Sequence, residues 1–423
     1  MENALFTYVD SGGAPQLVGR LWAHARRAKE SATFEYDARW LNHPERFSLE
    51  PSLLAGPGPF HTAPDKPLFG AIGDSAPDRW GRILMRRAER RRAELTGGTP
   101  RTLREIDYLM MVDDESRQGA LRFSRSEGGP FLTAGPAAAI PPLIQLPRLL
   151  KAAEHVLGDR ESDEDLRLLL APGSSLGGAH PKASVRDRDG QLAIAKFPSK
   201  DGDLNRILWE AVALTLAKKA GITATAWRLE IIQRKPVLLL QRFDRERGRR
   251  VPYLSAMSML QAGDNESRSY MEFADVLRQQ GAAPKADMQE IWRRIVFSVL
   301  ISNTDDHLRN HGFLWTGPAG WRIAPAFDLN PVPVDIKPRV LATAIDMDDG
   351  TASLELAMSV AEYFQLNPIE ARDIAGQVGR AVAKWRIVAS QLGLKSVAID
   401  RMASAFEHDD LKAAVRRIAR ATG

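Results

Sequence analysis

A chain of 423 residues exceeds the usual size of one compact core, and its 44% hydrophobic and 26% charged residues are the composition of a folded globular protein, not a disordered one. The absence of cysteine excludes a disulfide framework, a thiolate zinc site and a thiol nucleophile; with a polar, acidic start (Met1 to Asp10) and no apolar run of bilayer length, it predicts a soluble, cytoplasmic protein with no membrane partner. The net charge of +5 gathers in runs such as Arg86, Arg87, Arg90, Arg91 and Arg92, which can meet DNA, RNA or an acidic protein but more often form a solvated helix face, the reading favoured here.

Taken in order, Leu17 to Trp22 and Ala32 to Tyr36 read as strands, Ala55 to Pro67 as a Pro/Gly-rich connection, and Asp78 to Leu95 as a basic helix. This predicts a small α+β unit over 1–135, closed by a Gly-, Pro- and Ala-rich stretch around Gly128 to Pro142. Two helices follow at Leu146 to Leu157, with Pro147 tolerated in the first turn, and at Asp163 to Leu170. After the Gly/Ser-rich Pro172 to Gly178 come two β runs, Ala183 to Arg186 and Gln191 to Phe197, joined at Asp189-Gly190, then a helix from Leu204 to Ala220 and a buried strand from Pro236 to Phe243. A glycine-rich loop, hairpin, helix and buried strand are, in that order, the parts of a protein-kinase small lobe, placed at 136–250. The remainder, 251–423, is mainly helical, with a core helix from Ala286 to Ser302.

Transfer of a γ-phosphoryl group needs cations on the phosphates and a carboxylate that orients the attacking hydroxyl. In Asn303-Thr304-Asp305-Asp306-His307-Leu308-Arg309-Asn310, an Asn follows Asp305 by five residues, the Asp-to-Asn spacing of the kinase catalytic loop; Asp306 lies one residue too close. Asp305 is therefore the candidate base and Asn310 a magnesium ligand, with Asp328 of Ala326-Phe327-Asp328-Leu329-Asn330 the principal one. Asp and Asn also favour caps and turns, so for Asp305 taken alone a structural role is as good an account. A metallohydrolase built on Asp305, Asp306, His307 and His311 is a further alternative, and it leaves the glycine-rich loop and the lysine strand unused. Lys196 alternates onto one face of its strand and is a candidate for the α- and β-phosphates, with Glu210 on the next helix to hold it; a lone strand lysine is more often a solvated one. The loop Gly173 to Lys182, which contains Gly177 and Gly178, has no Walker pattern and suits either phosphate contact through backbone amides or an ordinary turn. Pro236 to Phe243 can face an adenine or simply fill the core.

Four of these segments, Ser175 to Lys182, Gln241-Arg242-Phe243-Asp244-Arg245, Asn303 to Asn310 and Phe327-Asp328, together with Asp74-Ser75-Ala76-Pro77-Asp78-Arg79-Trp80-Gly81, resemble the HipA toxin kinases in kind and in order. The resemblance spans most of the chain. It implies an α+β, bilobal protein-kinase-like fold with an additional small N-terminal subdomain and a mainly helical C-terminal lobe. It implies ATP and Mg2+ as cofactors, a HipB-like helix-turn-helix antitoxin as partner, DNA reached through that antitoxin, and a protein substrate such as an aminoacyl-tRNA synthetase, whose phosphorylation arrests growth. Roles carried across are the catalytic aspartate for Asp305, magnesium ligation for Asn310 and Asp328, phosphate binding for Lys196, hinge contacts for Gln241 and Phe243, and a place in the nucleotide site for His307. A loop serine is autophosphorylated in that family; Ser175 aligns with it and Ser174 competes. Two positions depart from the pattern: His180, where Arg or Gln is frequent, and Gln241, where Glu is common. A small-molecule phosphotransferase with the same lobes, or a non-catalytic component of a DNA-bound repressor complex, are the rival readings.

Overall fold

The computed structural model describes residues 4–26, 29–133, 140–170, 178–199, 204–263 and 266–419. The chain divides into two compact units, one formed by Met1–Asp201 and Leu229–Leu254, the other by Gly202–Arg228 and Ser255–Gly423.

The first unit opens with an antiparallel sheet of β1 (Ala4–Val9), β2 (Gln16–Arg26), β3 (Lys29–Tyr36), β4 (Pro59–His61) and β5 (Leu121–Ser124), in the order β4-β3-β2-β1-β5. Period-two alternation buries Ala32, Phe34 and Tyr36 and leaves Ser31 and Glu35 exposed, so β3 has one core face. Gly19 of β2 lies against the Glu35 carbonyl and the Phe34 ring, where a Cβ has no room. Four helices lie between these strands in the chain: α1 (Ala38–Leu41) between β3 and β4, and α2 (Gly70–Gly73), α3 (Arg79–Leu95) and α4 (Glu105–Met111) between β4 and β5.

Helix α3 is the basic helix expected from Asp78, and Asp78 is its N-cap, accepting from the Gly81 amide at 2.8 Å. Its arginines divide by partner. Arg82 pairs with Glu105, Arg87 with Asp159 and Glu161, Arg91 with Asp163 and Glu94, and Arg92 with Glu89, so most of the charge run is neutralised within the unit. The opposite face buries Trp80, Leu84 and Met85.

Helices α5 (Leu146–Leu157) and α6 (Asp163–Leu170) coincide with their expected bounds, Pro147 sitting in the first turn of α5. They pack on a second sheet, β6 (Lys182–Arg186), β7 (Leu192–Lys196), β8 (Trp227–Ile232) and β9 (Lys235–Gln241), ordered β6-β7-β9-β8. Trp80 and Leu84 of α3 join Leu149, Leu150, Val185, Phe197 and Leu239 in one core, so the N-terminal subdomain and the second sheet share their interior. The β6–β7 connection spans residues 187–191 and closes on the Asp187 amide, which donates to the Gln191 carbonyl at 2.8 Å; Gly190 takes the left-handed conformation (φ +79°) that the Asp189-Gly190 pair signalled.

Strand β9 stops at Gln241, two residues short of expectation, because the following residues leave the ladder to build a buried charge clamp. Asp244 is completely buried, and its oxygens accept from Arg242 Nε at 2.8 Å, Arg242 Nη2 at 2.5 Å, Arg245 Nη1 at 2.8 Å and the Gly119 amide at 2.8 Å. Arg242 also donates to the Ser116 carbonyl and Arg245 to the carbonyls of Glu115 and Arg117. The clamp thus binds the end of β9 to the 115–119 loop, and the hairpin of β10 (Arg245–Glu246) and β11 (Arg249–Arg250) extends it. Fully buried groups of this kind persist only when every donor and acceptor is matched.

The second unit is helical around α10 (Pro284–Ile301), which follows α7 (Leu204–Lys219), α8 (Ala256–Met259) and α9 (Tyr270–Gln280). Ile291, Trp292, Ile295, Val296, Val299 and Leu300 of α10 are all buried, as their three- and four-residue spacing requires. The hairpin β12 (Gly312–Trp315) and β13 (Trp321–Ile323) comes next, then α11 (Leu354–Ser359), α12 (Pro368–Val382), α13 (Trp385–Gln391), α14 (Ser396–Arg401), α15 (Ala403–Phe406) and α16 (Asp409–Ala419). Trp209 of α7 packs against Trp385 and Phe406 with ring centroids 6.2 and 6.1 Å apart.

Burial alone would raise the Asp244 carboxyl, but the charges of Arg242 and Arg245 outweigh it and hold the group well below the usual carboxylate range. The folded-state pKa is therefore lower than the unfolded one, so the clamp's contribution is complete above pH ~4 and declines as pH falls below it. Replacing Asp244 with Ala leaves two guanidinium groups without their buried counter-charge and is expected to cost about 3–5 kcal/mol, read by urea denaturation at neutral pH, with a much smaller difference from wild type at pH 2.

Candidate functional site

Helix α10 ends because Ser302 takes a left-handed conformation (φ +51°) and turns the chain out of the helix. The next residues form a loop whose course is set by hydrogen bonds at both ends. The Asn310 side-chain amide donates to the Asp305 carbonyl at 2.7 Å, and its backbone amide to the His307 carbonyl at 2.8 Å, which folds the five-residue interval into a closed turn. A second segment lies beside it: the Asn330 amide donates to Asn303 Oδ1 at 3.2 Å and the Val332 amide to the Ser302 carbonyl at 3.1 Å. Asn330 Nδ2 reaches back to the Asp328 carbonyl at 3.1 Å and to Asp328 Oδ1 at 3.3 Å. Asp305, Asn310 and Asp328, three positions singled out by spacing, are thus carried on two strips of chain stitched together inside the second unit.

Asp328 has φ +55°, a conformation that Asp and Asn tolerate better than other non-glycine residues and that costs of order 1–3 kcal/mol. The approach to it is pinned by reciprocal bonds between Ala326 and the 223–225 segment, Thr225 N to Ala326 O at 3.0 Å and Ala326 N to Thr223 O at 2.8 Å.

The two adjacent acids have different fates. Asp306 is buried: Oδ2 accepts from the Tyr270 hydroxyl at 2.6 Å and Oδ1 from the Ala342 amide at 2.7 Å, while its carbonyl accepts from Thr343 Oγ1 at 2.7 Å. His311 Nε2 stands 3.2 Å from both the Asp306 carbonyl and the Tyr270 oxygen; since a carbonyl only accepts, Nε2 carries the proton. Burial pushes His311 down to about 3, helped by the Arg294 charge, so the ring is neutral at physiological pH. Burial pushes Asp306 up to about 6 despite the hydrogen bonds it accepts. Asp305, by contrast, is half-buried, and among the described residues its carboxylate makes no hydrogen bond or ion pair. The metallohydrolase alternative needed Asp306 and His311 as ligands, and both are engaged in the scaffold instead.

Buried polar atoms without a hydrogen-bond partner gather here. Thr304 Oγ1, His307 Nδ1, Asn310 Oδ1 and Asn330 Oδ1 are four of them among the described residues. With its Nδ2 committed to the Asp305 carbonyl, Asn310 presents an oxygen without a partner among the described residues, the hard neutral donor that magnesium accepts. The donor set of Asn310 and Asp328 therefore fits a magnesium ion.

In the first unit, Lys196 is only 5% exposed, which removes the solvated-lysine account of it. It pairs directly across the ladder with Lys182, whose ammonium is 2.8 Å from Asp78 and 2.9 Å from the Gly178 carbonyl. Gln241 is exposed and Phe243 half-buried, with its ring 6.1 Å from that of Tyr253, whereas Arg242 and Asp244 between and after them face the buried clamp. Glu210 is buried on α7 of the second unit. Ser174, Ser175 and Gly177 lie outside the described residues.

Sequence reasoning missed Tyr270, Asn303, Asn330 and the Asp78–Lys182 pair. For Asn303 and Asn330 a signal existed: each flanks a candidate acid by two residues. For Tyr270, thirty-six residues from Asp306, there was none.

A sheet unit carrying a buried strand lysine, and a helical unit carrying an Asp-to-Asn loop stitched to a second acidic segment, define a framework of the protein-kinase-like class. Comparison with known proteins narrows this. The family model of the HipA-like C-terminal domain matches residues 174–385, half of the chain. A chain of the solved Shewanella oneidensis toxin–antitoxin complex of HipA, HipB and operator DNA superposes with a TM-score of 0.66 at 16% identity, covering 98% of this chain and 97% of that one, and so has the same fold. A Sinorhizobium fredii protein named "Putative kinase Y4mE" is 23% identical over 329 residues, 70% of this chain and 71% of that protein. A Haemophilus influenzae protein named "Putative kinase" is 32% identical over 96 residues, 22% of this chain and 28% of its own length. This chain belongs to the HipA-like family.

The difference between the two adjacent acids is measurable. Asp306→Ala strands the Tyr270 hydroxyl and the Ala342 amide and is expected to cost about 2 kcal/mol, whereas Asp305→Ala stays within about 0.5 kcal/mol of wild type in thermal denaturation. Because the Asp306 pKa is raised in the folded state, the native protein binds more protons than the unfolded chain between pH ~4 and 6, and this group's contribution is lost as pH rises through that window. The Asp306→Asn variant should lack that component of the pH–stability curve.

Proposed function

We propose that the protein is an ATP- and Mg2+-dependent protein Ser/Thr kinase, the toxin of a HipBA-like type II toxin–antitoxin pair. The observation that carries this reading is the stitched pair of segments in the second unit, which puts an Asp305 carboxylate and an Asn310 Oδ1, both without a partner among the described residues, and Asp328 on one scaffold.

In this reading Asp305 orients the acceptor hydroxyl and takes its proton, which requires a carboxylate not already engaged by the scaffold. Asn310 and Asp328 hold Mg2+, which when bound neutralises phosphate charge. Lys196 contacts the α- and β-phosphates and Glu210 holds it; Gly177 and Gly178 let backbone approach the phosphates; Gln241 and Phe243 face the adenine, and His307 belongs to the nucleotide side of the loop. Ser175, with Ser174 as competitor, is the proposed autophosphorylation site. A phosphate there adds roughly −1.5 to −2 charge to the loop and opposes the binding of anionic ATP.

A HipB-like helix-turn-helix antitoxin is the proposed partner, with DNA engaged through it, and a protein such as an aminoacyl-tRNA synthetase the proposed substrate in the cytoplasm. The family membership and the toxin–antitoxin complex that shares this fold support these assignments.

Incorporation of radiolabelled phosphate from ATP, with and without a lysate of growing bacteria, tests the reading. Wild type should label itself and a lysate protein. Asp305→Asn should lose at least about 10²-fold of that rate while melting as wild type does. Asn310→Ala and Asp328→Ala should lose as much, with a lowered melting temperature from the lost loop-closing hydrogen bond and from a left-handed position respectively, so for them nucleotide-independent folding is checked alongside. ATP binding without any labelled protein would redirect the reading to a small-molecule acceptor, and no ATP binding would overturn it.

A further inference from the structure

Residues directly opposite one another on antiparallel strands project to the same face, and here Lys182 of β6 stands opposite Lys196 of β7. Both are buried, at 3% and 5% exposure. Two like charges in that relation repel, and out of water they do so more strongly. Asp78 answers the first of them: its carboxylate lies 2.8 Å from Lys182 Nζ, and the two side chains are 8% and 1% exposed. The same ammonium donates to the Gly178 carbonyl at 2.9 Å.

Asp78 is itself held. It caps α3 by accepting from the Gly81 amide at 2.8 Å, and Trp80 in the first turn of that helix is locked in the core with Leu149, Val185 and Phe197. An unbroken series of contacts therefore leads from the first turn of α3, through Asp78 and Lys182, to the backbone at the end of the glycine-rich segment.

We propose that Asp78 and Lys182 are a positioning pair, which ties the Gly178 carbonyl to α3 and so fixes where the glycine-rich segment enters β6 relative to Lys196. The pair acts on nucleotide binding through the backbone it holds. Its neutralisation inside the protein also relieves the repulsion that would otherwise disfavour a second buried lysine at 196. The inference rests on the kinase reading above, with Lys196 at the phosphates.

The test measures affinity for a fluorescent ATP analogue, KM for ATP, kcat and melting temperature for wild type, Asp78→Asn, Lys182→Arg and the double variant Asp78→Asn with Lys182→Met. Asn keeps an acceptor for the cap, and the double variant removes both charges together, so it avoids leaving one buried ion alone. Expected are an increase of about tenfold in nucleotide Kd and in KM for the folded double variant, the fold-change of one lost charge-assisted hydrogen bond, with kcat within about threefold of wild type. Lys182→Arg should recover most of the affinity. A double variant that melts as wild type and binds nucleotide equally well overturns the proposal, as does a loss confined to kcat. Failure of wild type to bind the analogue at all overturns the kinase reading instead.

Discussion

Asp306 is a carboxylate taken wholly out of water, and the geometry of the candidate site depends on how that charge is accommodated. A buried acid is tolerable only with its acceptor sites filled, so the Tyr270 hydroxyl and the Ala342 amide converge on the Asp306 carboxylate, while Thr343 and His311 meet the backbone carbonyl of the same residue. That convergence fixes the backbone at 306, and the residues on either side inherit their positions: Asp305 one step before it, Asn310 closing back onto the Asp305 carbonyl. The neighbour that does chemistry in the proposed mechanism is the one relieved of structural duty. Asn303 extends the same logic to the second acidic segment, since one side-chain oxygen accepting from the Asn330 amide keeps Asp328 in step with the loop.

The first unit solves a similar problem twice. The Arg242–Asp244–Arg245 clamp lets a sequence that alternates uncharged and charged residues leave β9 with Arg242 and Asp244 buried and matched, and with Gln241 exposed and Phe243 half-buried. Asp78 and Lys182 do the same on a smaller scale between a helix cap and a strand. In both cases the segments so joined, 115–119 with 242–245 and 78 with 182, lie more than a hundred residues apart in the chain. Short motifs that read as isolated signatures are thus halves of contacts, added to the apolar core that the N-terminal subdomain and the second sheet share. Neutralisation inside the fold also accounts for most of the basic run on α3, whose arginines answer acids on α4, the 159–163 segment and α3 itself.

What the sequence determined by itself was local. Local signals were enough for α3, α5, α6 and α10, and for α10 the apolar spacing most of all, because a helix that buries one face must repeat every three or four residues whatever it packs against. The five-residue Asp-to-Asn interval, the spacing of a kinase catalytic loop, was the local reason to prefer Asp305 over Asp306. Tertiary structure alone decided which charges are buried and what balances them: that Lys196 is out of solvent opposite a second lysine, that Asp306 is answered by Tyr270, that β9 ends early to feed the clamp. The reason is physical. Periodicity and turn chemistry are properties of neighbouring residues, whereas the cost of burying a charge is set by whichever distant group arrives to meet it, and one chain read in order carries no record of that meeting.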